Sequence, residues 1–342
     1  MKIALVSDAW RPQVNGVVRT TMAVIRELRR TGHVVVAITP DLFPTIPCPF
    51  YPEIRLAIGA GKRLAQHLDQ FAPDAIHVVA EGPLGLAARR YCIDRAIPFT
   101  TAYCTRFPEY IAAGFGFPAA LSYWLLRRFH GAASGVMVAT ESIRSELAAR
   151  GFKNLLRWTR GVDTDHFHPA AKSYFQMPRP VFLTVGRVAL EKNLAAFLDL
   201  DLPGSKVVVG DGPQLAELRQ RYPHVHFAGF QDEAALVRYY AAADVFVFPS
   251  RTDTFGLVML EALASGVPVA AFPVPGPLDV IGNSGVGCLD DDLKRAALRA
   301  LEISPAACRE YALTFTWAHC AELFLQNLCP IERRAHALSP AA

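Results

Sequence analysis
The chain has 342 residues, 52% hydrophobic and 19% charged, which is material for two packed domains and excludes a disordered chain. Residues 1–170 carry 20 Lys and Arg against 13 Asp and Glu, a balance of +7, while the rest of the chain carries −3; a basic first half suits an anionic partner, the alternative being random charge scatter. Nucleic acid lacks the aromatic–basic interleaving of single-strand binders, the other candidate is an anionic membrane surface, and seven scattered cysteines without a CxxC speak against a zinc site or a disulfide framework.

The first strand, "IALVSD", begins after a single lysine. That is too early for a signal peptide and predicts a cytosolic chain. No apolar run reaches the roughly 18 residues of a spanning helix. "VVRTTMAVIRELRRTG" follows with one apolar face (Val17, Val18, Met22, Val24, Ile25, Leu28) and a stop at Gly32. "HVVVAITP", "DAIHVVA" with "GPLGLAARRYCIDRA", and "GVMVAT" with "ESIRSELAARG" repeat the unit. "TTAYCTRFPEY" is a strand that opens onto a loop at Cys104. This is βαβ grammar and predicts a parallel sheet under helices.

"HPAAKSYFQMPRP" at 168–180 breaks the grammar as a linker. It then restarts with strands "PVFLTVG", "KVVVGDG", "VHFAGF" and "DVFVFPS", and with helices over "LEKNLAAFLDL", "PQLAELRQRY", "EAALVRYYAAA" and "TFGLVMLEALASG". The expected organisation is α/β: an N-terminal domain over 1–170, a C-terminal domain over 171–315, and a C-terminal helix and tail over 316–342. A final helix over about 305–328 can cross back to the first domain, and ligands of such sheets bind at the carboxyl ends of the strands.

Three glycine-bearing turns follow strands. In "DAWRPQVNGVVRT", Gly16 opens a helix and either lets the backbone approach a ligand or makes a tight turn. In "VGRVALEKN", Arg187 and Lys192 either neutralise a diphosphate or form a solvated pair. In "TDTFGLVMLEALASG", a helix is predicted to begin near Thr254, with the N–H groups of Phe255, Gly256, Leu257 and Val258 at its start. Asp253 is a sugar-hydroxyl ligand or an N-cap there; Glu261 lies in the helix interior, where a carboxylate needs a partner.

Strand-"VGR", "EKN", "GDGP" and "TDTFGLVMLEALASGVPV" together resemble the retaining glycosyltransferases of family 4, built as two Rossmann-like domains in the GT-B arrangement. The resemblance runs from "NGV" to the terminal helix. It is nearest to bacterial enzymes that glycosylate diacylglycerol and other lipids and to GDP-mannose-dependent α-mannosyltransferases. It implies donor contacts at Gly16, at Arg187 and Lys192 on the diphosphate, at Gly210 of "GDGP", and at Thr254, Phe255, Gly256 and Leu257. It also implies that Asp253 meets the donor sugar and Glu261 the nucleotide ribose. Cys104, Asp253, Arg187 and Lys192 are the expected catalytic set, and Arg106, Glu109 and Tyr110 the acceptor side.

No cofactor and no metal are expected, because Arg187 and Lys192 would supply the cationic charge. "DDD" at 290–292 reads as a solvated helix start. The implied reaction moves a hexosyl or hexuronosyl unit from a UDP-glucose or UDP-glucuronate type donor to a lipid such as diacylglycerol. GDP-mannose is the alternative donor. "FGFPAALSYWLLRRFHG" at 115–131 suits either a helix resting on an anionic bilayer or an ordinary core helix, and a peripheral place on the inner face of the cytoplasmic membrane follows from the first.

The family neighbourhood carries His where this chain has Cys104, beside the donor sugar. A thiol is a poor hydrogen-bond partner, so a catalytically weak nucleotide-sugar-binding relative is the reading from another class. Retaining enzymes of this type need no protein nucleophile, which leaves Cys104 as a substitution in a sugar pocket.

Overall fold
A strand covered by helices on both faces needs apolar residues at every position, not at alternate ones. In a computed structural model of the protein, which describes residues 1–13, 15–48, 54–106, 108 and 118–332, Ile3, Ala4, Leu5 and Val6 are all buried. They lie in β1 (Lys2–Val6). The first half continues with β2 (Val34–Ile38), the hairpin β3 (Thr45–Pro47) and β4 (Arg55–Ala57), then β5 (Ala75–Val78), β6 (Thr100–Tyr103), β7 (Gly135–Val138) and β8 (Leu155–Arg157). Apart from the hairpin, these form one parallel sheet in the order β2-β1-β5-β6-β7-β8. The helices between them are α1 (Gly16–Arg30), α2 (Ala60–Phe71), α3 (Pro83–Asp94), α4 (Ala119–His130) and α5 (Glu141–Ala149). The hairpin and β8 carry no strand pattern strong enough to be read from sequence.

The second half repeats the plan. Strands β9 (Val181–Val185), β10 (Ser205–Val209), β11 (His226–Gly229), β12 (Val245–Phe248), β13 (Val269–Ala271) and β14 (Gly287–Leu289) form a parallel sheet in the order β11-β10-β9-β12-β13-β14. Its helices are α6 (Ala195–Leu198), α7 (Leu215–Arg221), α8 (Glu233–Ala242), α9 (Leu257–Ala264), α10 (Pro277–Val280), α11 (Leu293–Ala300), α12 (Pro305–Ala312) and α13 (Trp317–Asn327). Strand order reverses between β1 and β5 in one sheet and between β9 and β12 in the other. These are the switch points where an open α/β sheet presents its ligand crevice.

Three expectations change. The helix read over "LEKNLAAFLDL" is a 3₁₀ turn at Leu190–Lys192 followed by the short α6, because Asn193 turns left-handed (φ 54°) and its side chain donates to the Pro249 carbonyl. The helix read near Thr254 begins three residues later, at Leu257, behind Gly256 at φ 86°. The terminal helix is two: α12 stops before Thr316, whose hydroxyl caps α13 by accepting from His319 N.

α13 leaves the second sheet and packs on the first. Phe324 and Cys320 join Ile3, Leu5, Val24 and Trp158 in one buried cluster. Trp158 Nε1 donates to the Cys320 carbonyl at 3.1 Å. The chain crosses outward beside this return: Val162 N donates to the Phe315 carbonyl at 3.0 Å, and Phe167 is already packed in the second half's core. Among the described residues no helix is long and apolar enough to cross a membrane.

Candidate active site
Thr254, beyond β12, meets Cys104, beyond β6, from the other half of the chain, and several of the expected donor-side residues lie near these strand ends. Arg187 follows β9 by two residues. Gly186, Arg187, Lys192, Pro249 and Ser250 line one small cavity between the ends of β9 and β12. Lys192 Nζ lies 2.6 Å from Asp253 Oδ1. Asp253 is therefore not the N-cap of α9, and its carboxylate points at the cation expected on a diphosphate. Its Oδ2 is buried and accepts no hydrogen bond from the described residues. A buried acceptor left this way is costly by about 1–3 kcal/mol.

Glu261, on α9, is 3% exposed. Tyr240, on α8, donates its hydroxyl to Oε2 at 2.9 Å, and Arg19 Nη1, on α1, lies 2.6 Å from Oε1. The partner that a buried carboxylate requires thus comes from the opposite domain. Arg19 and Tyr240 carry no sequence signal of this role beyond the place of Arg19 in the first turn of α1, next to the apolar face of that helix. Burial pushes the Tyr240 phenol well above its usual range, with the neighbouring Glu261 charge adding to it.

Gly16 opens α1 as expected. Asn15 caps that helix, its side chain accepting from Val17 N and Val18 N, so the first-turn N–H groups are partly engaged. An added Cβ on Gly16 would sit 3.6 Å from Leu257, placing the start of α1 against the start of α9. Met259 N bonds back to Gly256, leaving Leu257 and Val258 as the first-turn N–H groups of α9. Phe255 is buried in the second core, while Thr254 Oγ1 donates to the Cys104 carbonyl at 2.9 Å across the cleft. Ser142 N donates to Asp279 Oδ1 at 3.0 Å on the same seam. Gly210 has a backbone reason. Its φ is 139°, and a Cβ there would fall 1.8 Å from the Gly186 carbonyl, so the "VGR" and "GDG" loops touch only because it is glycine.

On the first sheet, Asp8, Glu81 and Cys104 stand just beyond the neighbouring strands β1, β5 and β6. Asp8 accepts from Leu84 N at 2.9 Å and Gly85 N at 3.0 Å at the start of α3. Burial nevertheless pushes its carboxyl up to about 6, with Glu81 adding to the rise. Glu81 is held by His130 Nε2 at 3.2 Å, whose Nδ1 meets Thr101 Oγ1 at 2.9 Å. The half-buried Cys104 thiol lies 3.9 Å from Arg160. Burial pushes it up to about 11, the Arg160 charge opposing and Glu81 assisting, so it is a neutral thiol, not a poised nucleophile.

Of the acceptor-side residues, Arg106 pairs with Glu146 at 2.6 Å within its own domain. Glu109 and Tyr110 lie outside the described residues. In the "DDD" run, Asp292 caps α11 and Asp290 pairs with Arg295, which draws its carboxyl down to about 2. No group of three or more His, Cys, Asp and Glu side chains among the described residues is arranged to hold a metal ion. On α4, Tyr123 and Phe129 face the core while Leu121, Trp124 and Leu125 are exposed; residues 115–117 of that segment lie outside the described residues.

Residues 14–166 match the family described as Glycosyltransferase Family 4, and residues 179–303 match Glycosyl transferases group 1. The chain is 32% identical over 316 residues to a GDP-mannose-dependent alpha-mannosyltransferase of Mycobacterium tuberculosis, covering 84% of this chain and 83% of that protein. It is 28% identical over 349 residues to an alpha-monoglucosyldiacylglycerol synthase of Streptococcus pneumoniae, covering 89% and 79%. Sucrose-phosphate synthase from Thermosynechococcus elongatus shares the fold, with a TM-score of 0.76 at 22% identity over 95% of this chain and 97% of that one.

Proposed function
The chain belongs to glycosyltransferase family 4 and has the GT-B architecture, and from that premise we propose that it moves a hexosyl unit from a nucleotide diphosphate sugar to a membrane lipid, with retention at the anomeric carbon. The buried Oδ2 of Asp253, which has no hydrogen-bond partner among the described residues, carries this reading beside Lys192. It would accept from a donor-sugar hydroxyl one residue from the Thr254–Cys104 contact, and the neighbouring Lys192 would meet the diphosphate. Glu261 would take the ribose, and Arg187 with Lys192 would stabilise charge as it develops on the departing phosphate. The C1–phosphate oxygen bond breaks, the acceptor oxygen bonds C1 on the same face, and its proton passes to the departing phosphate. In this reading the charge is met by side chains, with no resident metal and no covalent enzyme intermediate.

The first reading of the donor is GDP-mannose, from the 32% identical mannosyltransferase. The second is UDP-glucose, from the diacylglycerol glucosyltransferase likeness. The lipid acceptor and peripheral contact with an anionic bilayer are supported by the exposed Leu121, Trp124 and Leu125 on α4, with Arg127 and Arg128 in its last turn. The test is incubation with GDP-mannose, UDP-glucose or UDP-glucuronate and diacylglycerol in vesicles containing phosphatidylglycerol. A glycolipid with an α-anomeric proton is expected; absence of glycolipid with every donor would sink the proposal, and donor turnover without acceptor would indicate a hydrolase instead.

A further inference from the structure
Each acid of the 253/261 pair is already matched by a cation. Lys192 meets Asp253 within one domain, whereas Arg19 meets Glu261 from the other domain, both at 2.6 Å. The second pair is layered. The Glu261 side chain is 4% exposed and that of Arg19 30%, so the guanidinium is the lid and the carboxylate lies beneath it. Tyr240 holds the other carboxylate oxygen from below at 2.9 Å. The Arg19 guanidinium is also 6.0 Å from the centre of the Phe167 ring, which fixes its approach. Both oxygens of a carboxylate that is 4% exposed are thus occupied, by Arg19 and by Tyr240.

We infer that Arg19 is a positioning residue of the donor site: it latches the N-terminal domain onto Glu261, and the ribose of the incoming nucleotide must displace it. This rests on the reading above that Glu261 holds the ribose. The exchange conserves hydrogen bonds at Glu261. The carboxylate gives up an N–H donor from a cation and receives O–H donors from the 2′ and 3′ positions, so its hydrogen bonds are kept while the charge of its partner is lost, a cost that the nucleotide's other contacts must offset. The latch works together with the Thr254–Cys104 and Ser142–Asp279 contacts, which close the same seam. Nucleotide binding is therefore linked to domain opening, and its apparent affinity is reduced by the fraction of molecules that are latched.

The experiment is calorimetric titration of GDP and UDP into the full chain, as wild type, Arg19→Ala, Arg19→Lys, and Arg19→Ala combined with Glu261→Gln, with thermal melts to confirm folding. Arg19→Ala is expected to bind the preferred nucleotide about tenfold more tightly, the change for a latch closed in roughly nine molecules of ten. Its donor KM should fall without a matching rise in kcat, and small-angle scattering should show a larger radius of gyration before nucleotide is added. Arg19→Lys keeps the charge but loses the planar guanidinium over Phe167, so it should fall between wild type and Arg19→Ala. Equal or weaker nucleotide binding by a folded Arg19→Ala overturns the inference, and Arg19→Gln replaces it if the alanine variant does not fold. Should Glu261→Gln fail to weaken binding in the Arg19→Ala background, the ribose assignment itself is wrong. Failure of the latch alone leaves that second comparison intact.

Discussion
Two residues at the mouth of the first sheet show burial overriding ordinary acid–base behaviour. With its thiol near 11, Cys104 is ionised in roughly one molecule in a thousand at pH 8. Cys104→Ser should therefore keep transfer activity within about threefold; a thousandfold loss in a donor-turnover assay would restore the thiol as a nucleophile. Asp8 has the opposite consequence for stability. Its folded value of about 6 lies above the ordinary 3.8, so the native state binds the extra proton. The contribution is full below pH 3.8 and is lost as pH rises through 6, by up to about 3 kcal/mol. Asp8→Asn removes that slope. Chemical denaturation should show the variant gaining on wild type between pH 4 and pH 7, after an initial deficit of about 1 kcal/mol for one lost backbone hydrogen bond. A constant difference across that range would contradict the assignment. The thiol's position was readable from "TTAYCT"; its neutral state was not, because desolvation depends on what covers the strand end, and here it outweighs the opposing charge of Arg160.

Elements were legible where their pattern is local. The apolar face of α1, its Asn15 cap and the stop at Gly32 all lie within one stretch of chain, and the helix forms as its periodicity predicts. α9 and the 190–198 segment departed from expectation because contacts from other strands outweigh local propensity. Asp253 is drawn to Lys192 instead of capping a helix, and Asn193 is turned out to reach Pro249. The loops after β9 and β10 show the same dependence on close approach. They exchange backbone bonds at Val188 N–Asp211 O (2.9 Å) and Gln214 N–Val188 O (3.0 Å). Gly210→Ala adds a Cβ against backbone where φ is 139°. It should cost about 3 kcal/mol or more by urea melting and should weaken nucleotide binding with it, since Gly186 and Arg187 lie in the displaced loop; a variant as stable as wild type would argue that the two loops do not touch.

At the scale of the molecule, the chain crosses between the halves near 160–167 and returns through α13. That helix completes the first domain's core: Phe324 is 1% exposed against His77 and Trp158. Phe324→Ala should therefore destabilise the N-terminal half by about 3–5 kcal/mol, seen as an earlier denaturation midpoint. Loss confined to the second half would contradict the crossing. Residues far apart in sequence meet across the two halves at Arg19–Glu261, Thr254–Cys104 and Ser142–Asp279.

The alternation of buried runs with amphipathic ones was enough to determine two parallel α/β halves, and the "VGR", "EKN" and "TDTFGLVMLE" stretches were enough to place the residues proposed to meet the donor on the second. Those are short-range properties, since a strand's apolar run and a helix's face are written within a dozen residues. The partner of Glu261, the sharing of Asp253 with Lys192, the Asp8–Glu81–His130 group and the return of α13 were decided only by tertiary structure. Periodicity reports that a segment will be buried. It does not report which distant charge will neutralise a carboxylate once water has been removed from around it.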